Sequence, residues 1–280
     1  MDTGDRLMVT FKGDGIITYI GSKVYLLDDI YKVYARSKCT TLVDVFGGSG
    51  RVLYSLPAKI KVYNDRDSRL VNLFRVIRNN PEEFAKKFDF WLHSRELFED
   101  YRRHLDTGDP IEDAFRLYYV FNVSFGGRGN TFGYRVNGDA EPVAESLDSK
   151  ISNLHEIHSK VKHWTIENKD FASLIEAYDS DTTFFYLDPP YPEKQFYRHK
   201  MRDSDYIRLL HRMKDMKGRY LMNVMPHNLI RSVFGQPTFE KSYMNQIERV
   251  KDNEKRDSRS EWFYTNVTME KQKSLIENVF

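Results

Sequence analysis

Apolar positions fall along the chain in two kinds of run. The first is short and almost unbroken, at residues 41–46, 59–63, 163–167, 182–187 and 219–224. Runs of this length with both alternating sets apolar predict strands buried on both faces, as in a parallel sheet. The second follows helical spacing. Leu70, Leu73, Phe74 and Ile77 recur along 68–77, and Asn79-Asn80-Pro81 closes the pattern. Residues 51–56, 173–177 and 204–216 read as further helices, the last with Ser204 as its cap. Strand, turn, helix, strand, helix is how a parallel α/β sheet opens. Two more strand candidates lie at 239–244 and 262–266, separated by a mixed-charge run at 251–260 that reads as a solvated loop.

The middle breaks this rhythm. Residues 81–121 are charged, aromatic and helical in period. Gly126, Gly127, Gly129, Gly133 and Gly138 then crowd one segment, with aromatics and arginines between them, and helix resumes at 143–161. This predicts an α/β domain built from 1–79 and 161–280, interrupted by a mainly helical insert at 80–160.

Composition narrows the picture modestly. At 280 residues the chain can hold one α/β domain and a small insert, and 40% hydrophobic residues place it among globular proteins. A net charge of +2 neither announces a nucleic-acid binder nor excludes one, because a single groove can be basic while the total is near neutral. The one cysteine, Cys39, rules out an intramolecular disulfide and a cysteine-based metal cluster, fits a reducing compartment, and reads as a small core filler. No basic leader precedes an apolar stretch, and no apolar run approaches the ~18 residues of a membrane span. A soluble, cytoplasmic chain without membrane or metal partners is expected.

Chemistry concentrates where strands end. In open parallel sheets ligands bind outside the carboxyl ends of the strands. Asp44 and Phe46 lead into Gly47-Gly48-Ser49-Gly50 after the first strand. Glycines there let the backbone approach a ligand closely. The run lacks the Lys-Ser/Thr of a P-loop, and Leu53 stands where a dinucleotide fingerprint has its third glycine. A plain strand–helix turn with no ligand is an even alternative. Asn64-Asp65 ends the next strand. A carboxylate there can accept both hydroxyls of a ribose, or it can cap the helix that opens at Ser68. Asp188-Pro189-Pro190-Tyr191 ends the 182–187 strand and is the sharpest signal. Two prolines stop a strand abruptly and stiffen the turn. Asp188 and the Pro189 carbonyl supply acceptors, and Tyr191 offers a flat face. That combination suits a planar amine such as the exocyclic nitrogen of a base; a rigid surface turn is the alternative.

Taken in order, these motifs resemble the Dam-type DNA adenine methyltransferases, over about residues 16–266. Asp188 to Tyr191 match the family's catalytic tetrapeptide, and residues 44–50 look like its S-adenosylmethionine turn. Asp65 falls at the ribose-binding acid. Tyr19, Gly21 and Lys23 are similar to an N-terminal cofactor motif, with Ser22 in place of its second glycine. Asp170 and Phe171 are similar to the pair that borders the cofactor's adenine, and 261–266 resembles the last strand. Residues 121–127 and 134–137 look like a β-hairpin region that reaches into DNA, which implies DNA contacts from Arg128, Asn130, Arg135 and Asn137.

The resemblance implies a Rossmann-like methyltransferase sheet with a target-recognition insert. It also implies methyl transfer from S-adenosylmethionine to adenine N6 in double-stranded DNA, with the base flipped out and no metal. Asp188 and the Pro189 carbonyl would aim the amine, making catalysis positional and electrostatic. Lys194, Arg198, Lys200 and Arg202 form either a loop over the flipped nucleotide or a solvated loop. His199, His211 and His227 receive no role. Cytosine N4 is an alternative acceptor. A silent DNA-binding module of the same fold is a further alternative, against which intact Lys23, Asp65 and Asp188 stand.

Overall fold

Seven strands form one mixed sheet in the order β3-β2-β1-β4-β5-β7-β6. They are β1 (Thr41–Asp44), β2 (Ile60–Asn64), β3 (Thr165–Glu167), β4 (Thr183–Leu187), β5 (Arg219–Val224), β6 (Phe239–Met244) and β7 (Ser258–Thr265). β1 to β5 pair in parallel; β7 returns antiparallel to β5, and β6 pairs antiparallel with β7. The computed structural model describes residues 15–19, 23–134, 143–192, 198–244 and 258–269. The described helices are α1 (Leu27–Ser37), α2 (Arg51–Ser55), α3 (Ser68–Asn79), α4 (Pro81–Lys86), α5 (Arg95–Arg103), α6 (Pro110–Val123), α7 (Val143–Ser152), α8 (Leu154–Val161), α9 (Phe171–Tyr178), α10 (Asp203–Asp215) and α11 (Asn228–Phe234).

Strand alternation sorts the core onto two faces. Leu42, Tyr63, Phe184, Tyr186 and Leu221 point to one face, and Val43, Val62, Phe185, Leu187 and Met222 to the other. The second face is covered by α9, α10 and α11 through Phe171, Leu174, Leu209 and Ile230. The first is covered by α1 and α3, and the same hydrophobic cluster continues into α5, α6, α7 and α8 through Phe98, Tyr118, Leu147 and Ile157. The helices of the 80–160 segment thus share buried surface with α3 and the sheet.

Chain order along the sheet reverses at β1, which lies between β2 and β4. A crevice opens at such a switch point, on the carboxyl side of the strands. Asn64 holds this edge together. Fully buried, it donates to the Val45 carbonyl (2.9 Å) and accepts from the Lys169 N–H (2.7 Å), so three strand ends share one side chain.

Several expectations need correction. Ser204 does not cap α10; Arg202 holds that position, its backbone N–H donating to Asp205 at 2.9 Å. The helix read over 143–161 is two helices that break at Asn153. β7 begins at Ser258, inside the expected loop. The described part of the glycine-rich segment has a 3₁₀ turn at Phe125–Gly127 and an antiparallel bridge between Ser124 and Phe132, and residues 135–137 of the expected hairpin region lie outside the described residues.

Candidate active site

Four acids meet at the carboxyl edge of the sheet because four neighbouring strands end there. Asp44 closes β1, Asp65 follows β2, Asp170 follows β3 and Asp188 follows β4. All four line one cavity of about 840 Å³. Tyr19, Lys23, Phe46, Gly48 and Phe171 line it too, so most of the residues singled out in the sequence share a wall. Arg198, His199, Lys200 and Arg202 form part of its rim, which makes the described part of the basic loop a cavity wall.

The glycine turn gives the cavity its floor. Gly48 adopts φ 49° and Gly50 φ 65°, both left-handed. A side chain at Gly50 would also meet the Phe74 ring and Trp164. The Gly48 N–H donates to Asp65 at 2.9 Å, while the Tyr63 hydroxyl donates to the Gly48 carbonyl at 2.8 Å. Asp65 is therefore not the cap of α3. Asp67 is, accepting from the Arg69 N–H and clasped by its guanidinium at 2.5 Å. Burial pushes the Asp65 carboxyl up to about 6, although the N–H groups of Asp67 and Gly48 pull the other way. Asp170 caps α9, and the Arg208 guanidinium lies over the neighbouring Phe171 ring.

Asp44 is the least satisfied group. It is 2% exposed, and its Oδ1 has no hydrogen-bond partner among the described residues. Burial first, then Asp188 and Asp65, raise its pKa well above the carboxylate range. A buried acceptor without a donor is costly. A cationic group entering the cavity would relieve both the burial and the like-charge repulsion.

Asp188 sits in a web of side chains. Its Oδ2 pairs with the Lys23 ammonium at 3.0 Å. Its Oδ1 accepts from the Tyr191 hydroxyl (3.2 Å) and from Asn223 (3.3 Å). Burial alone would depress Lys23, but Asp188 and Glu261 outweigh it and the ammonium is held more tightly than usual. Burial raises Asp188, and Lys23 reverses this only in part. The turn itself is pinned by the Tyr206 hydroxyl, which donates to the Pro190 carbonyl.

Not every expected residue reaches the cavity wall. Tyr191 is 9% exposed, its ring packed in the core face of β4 and its hydroxyl turned to Asp188. Pro189 is buried behind the turn, whereas Pro190 lines the cavity. Arg128 and Asn130 are exposed on the glycine-rich loop, away from the cavity wall. That loop is joined to the wall at its base, where Gly127 packs on Thr18 and Phe121 packs on Tyr19 with ring centroids 5.1 Å apart. Gly21, Arg135 and Asn137, together with Lys194, lie outside the described residues.

Glu261, on β7, was expected only as part of a strand. It is 2% exposed and touches Tyr191, Asn223 and Tyr243. A lone acid preceding Trp262, Phe263 and Tyr264 was the available signal. Among the described residues, no cluster of three or more His, Cys, Asp or Glu side chains can hold a metal ion, and no helix is long and apolar enough to cross a membrane.

An open α/β sheet with an acidic two-proline turn beside a glycine-floored cavity defines a class, and the comparisons with known proteins agree with it. The chain belongs to the D12 class N6 adenine-specific DNA methyltransferase family, whose model matches residues 19–258. It is 24% identical over 247 residues to the modification methylase StsI of Streptococcus sanguinis, covering 82% of this chain and 36% of that protein. It is 29% identical over 191 residues to the type II methyltransferase M1.LlaDCHI of Lactococcus lactis subsp. cremoris, covering 62% of this chain and 64% of that one. It is 24% identical to the type II methyltransferase M.CviBI of Paramecium bursaria Chlorella virus NC1A, over 76% of this chain and 85% of the relative. The chain thus spans less than two thirds of the length of the first two.

Proposed function

We propose that this chain transfers a methyl group from S-adenosylmethionine to the exocyclic N6 of adenine in double-stranded DNA. The observation that carries this reading is the juxtaposition of Asp188, on its two-proline turn, with the unpartnered carboxylate oxygen of Asp44 in one cavity. The first suits a neutral planar amine, and the second suits a cationic ligand.

Asp44, Asp65, Asp170 and Phe171 are the residues that would hold the cofactor. Asp44 offers its orphan oxygen to an ammonium, and Asp65 offers a carboxylate to ribose hydroxyls. Phe46 and Phe171, with ring centroids 5.9 Å apart, provide flat apolar surface for a purine. Tyr19 and the Gly48 backbone close the near side, and Lys23 holds Asp188 in place. Bound there, S-adenosylmethionine supplies a methyl group carried on a positively charged sulfur.

The amine of adenine is a poor nucleophile because its lone pair is delocalised into the ring. Asp188 accepts a hydrogen bond from it and favours a nitrogen whose lone pair is free to attack. The turn's rigidity keeps that acceptor in place, so the contribution is positional and electrostatic. Asp188 then takes the proton that the methylated nitrogen gives up. The target nitrogen lies inside the duplex stack, so the base leaves it first. Arg128, Asn130, Arg135 and Asn137 are the candidate DNA contacts, and Arg198, Lys200 and Arg202 are placed to meet phosphates at the cavity mouth. Contacts of the second kind weaken with salt.

The test is incorporation of labelled methyl from S-adenosylmethionine into unmethylated duplex DNA, followed by nucleoside analysis. Label in N6-methyladenine is expected. Label in N4-methylcytosine replaces the acceptor, and cofactor binding without any label overturns the reading.

A further inference from the structure

Two carboxylates, buried Glu261 and the cavity-lining Asp188, share one phenol. The Tyr191 hydroxyl lies 3.2 Å from Asp188 Oδ1 and 3.2 and 3.3 Å from the two oxygens of Glu261. Asn223 spans the same pair, its Nδ2 reaching Asp188 Oδ1 at 3.3 Å and Glu261 Oε2 at 3.4 Å. Asn223 is fully buried and itself fixed, its Oδ1 accepting from the Tyr186 hydroxyl at 2.5 Å. A phenol brings one proton to this junction, and two ionised carboxylates would compete for it. Asn223 can give one N–H to each carboxyl group and Tyr243 donates to Glu261 Oε1, but the Tyr191 hydroxyl joins both sides at once only when one carboxyl group carries a proton of its own.

Position decides which one. Asp188 meets the Lys23 ammonium directly at 3.0 Å, which favours its ionised form. Glu261 has no such direct pair among the described ion pairs. The titratable groups facing Glu261 are Lys23 before α1, Tyr186 on β4, Asp188 and Tyr191 after β4, and Tyr243 on β6. One cation thus stands against two acids. A protonated Glu261 makes the buried cluster neutral.

We propose that Glu261 is a positioning residue that stays protonated at neutral pH, donating to the Tyr191 hydroxyl so that Tyr191 donates in turn to Asp188. Asp188 is then the single anion facing the amine, and its orientation is set from behind by Tyr191. Burial and the Asp188 charge both raise the Glu261 pKa, in the direction this requires, and Lys23 opposes them. A carboxylic acid kept neutral in an apolar site can donate a hydrogen bond at pH 7. Glu261's effect on turnover presupposes the methyl transfer proposed above; its protonation does not.

Two measurements test this on the full-length chain. Infrared difference spectra of wild type against E261Q read protonation without any assay. The neutral carboxyl stretch is expected in wild type and absent from the variant; a carboxylate signal lost instead overturns the proposal. Transfer kinetics read positioning. E261A is expected to lower kcat about 10²-fold, the size of a displaced acceptor. E261Q, neutral and able to donate, is expected to restore most of that loss and to remove the alkaline fall in kcat that follows Glu261 ionisation. E261Q as impaired as E261A overturns the proposal, since an ionised carboxylate is then required. Turnover unchanged in both overturns it as well. If E261A does not fold, E261Q and the infrared spectra still decide. A wild-type chain that transfers no methyl, yet shows the neutral carboxyl, overturns the activity reading and leaves the protonation standing.

Discussion

The cavity and the helices of the 80–160 segment each bury a lysine, and the described partners of the two lysines differ. Lys23 faces two acids, Asp188 and Glu261, at the carboxyl edge of the sheet. Lys150 on α7 is equally buried, and its described hydrogen-bond acceptors are neutral oxygens, Thr18 Oγ1 and Asn122 Oδ1. The difference separates two uses of buried charge. Around Lys23 the acids outnumber the cation, and Asp44 adds another with an unpartnered oxygen, so the site is built to be completed by ligands. Around Lys150 the geometry fastens α6 and α7 to residues 15–19, and Tyr19 in that segment is a cavity wall. On the proposed reading, the first cluster serves the chemistry and the second holds a wall of the same cavity.

The largest effect that sharpens this contrast is at Asp188. Asp188→Ala removes the acceptor on the two-proline turn, and kcat for methyl transfer is expected to fall by about 10²–10³ or more. The melting temperature should change little, because loss of the Asp188 charge lets the Lys23 ammonium favour ionisation of Glu261, which then takes over as its counter-charge. Near-wild-type turnover in this variant breaks the assignment of the cavity as the reacting site. Next in size is Asn122→Leu. Asn122 Oδ1 accepts from both the Lys150 ammonium (2.8 Å) and the Thr18 N–H (3.0 Å), so the variant strips an acceptor from a buried cation. Hydrogen bonds to charged groups are worth about 1.5–3 kcal/mol, and a loss of that size in denaturant unfolding is expected. Cofactor affinity should weaken too, through Tyr19. Unchanged stability would show that the clamp is dispensable.

How much of this was readable in the chain follows from how local each feature is. Asp44 and Asp188 close their own strands, and glycines or prolines follow within a few residues, so strand pattern and turn chemistry point to them together. Asp65 was legible as a site acid, but the capping role beside it belongs to Asp67, which a short turn of three acidic or basic residues conceals. Glu261 was not legible as part of the site, because antiparallel β7 delivers it to Tyr191 from 70 residues away. Lys150 and Asn122 look like ordinary polar interruptions of amphipathic helices, and only the packing of α6 against α7 with residues 15–19 joins them. The break at Asn153 and the seven-residue α11, capped by His227, were missed because short helices carry too few turns for a periodicity to show.

A smaller effect probes the junction between the two regions. Gly127 has φ 66°, and a Cβ there would lie 2.8 Å from the Thr18 backbone. Gly127→Ala adds a left-handed strain of about 1–2 kcal/mol to that contact. The Michaelis constant for DNA is expected to rise several-fold as the loop bearing Arg128 and Asn130 shifts. Cofactor binding, measured by titration calorimetry, should fall less than in Asn122→Leu. Equal losses for both ligands would mean that loop and cavity wall move as one body.

The last expected effect leaves wild-type binding at neutral pH unchanged and is a pH dependence confined to the cavity. Asp65 is pushed up to about 6 by burial, against the N–H groups of Asp67 and Gly48. Only its ionised form accepts from two ribose hydroxyls at once. Cofactor affinity should therefore be constant above that value and weaken below it, by about 10-fold for each pH unit, since one unit is 1.36 kcal/mol. The stability sign runs the other way. An acid whose pKa is raised by folding binds more protons in the native state, so this group's contribution to stability declines as pH rises from the unfolded value near 3.8 to about 6. Acidification thus favours the fold at Asp65 while disfavouring the ligand, and the two trends separate a binding role from a structural one. Asp65→Asn should flatten the binding profile in this window and leave residual affinity. A profile that keeps its slope in Asp65→Asn would move the titration to Asp44 or Asp188, the acids on the same wall that burial also raises.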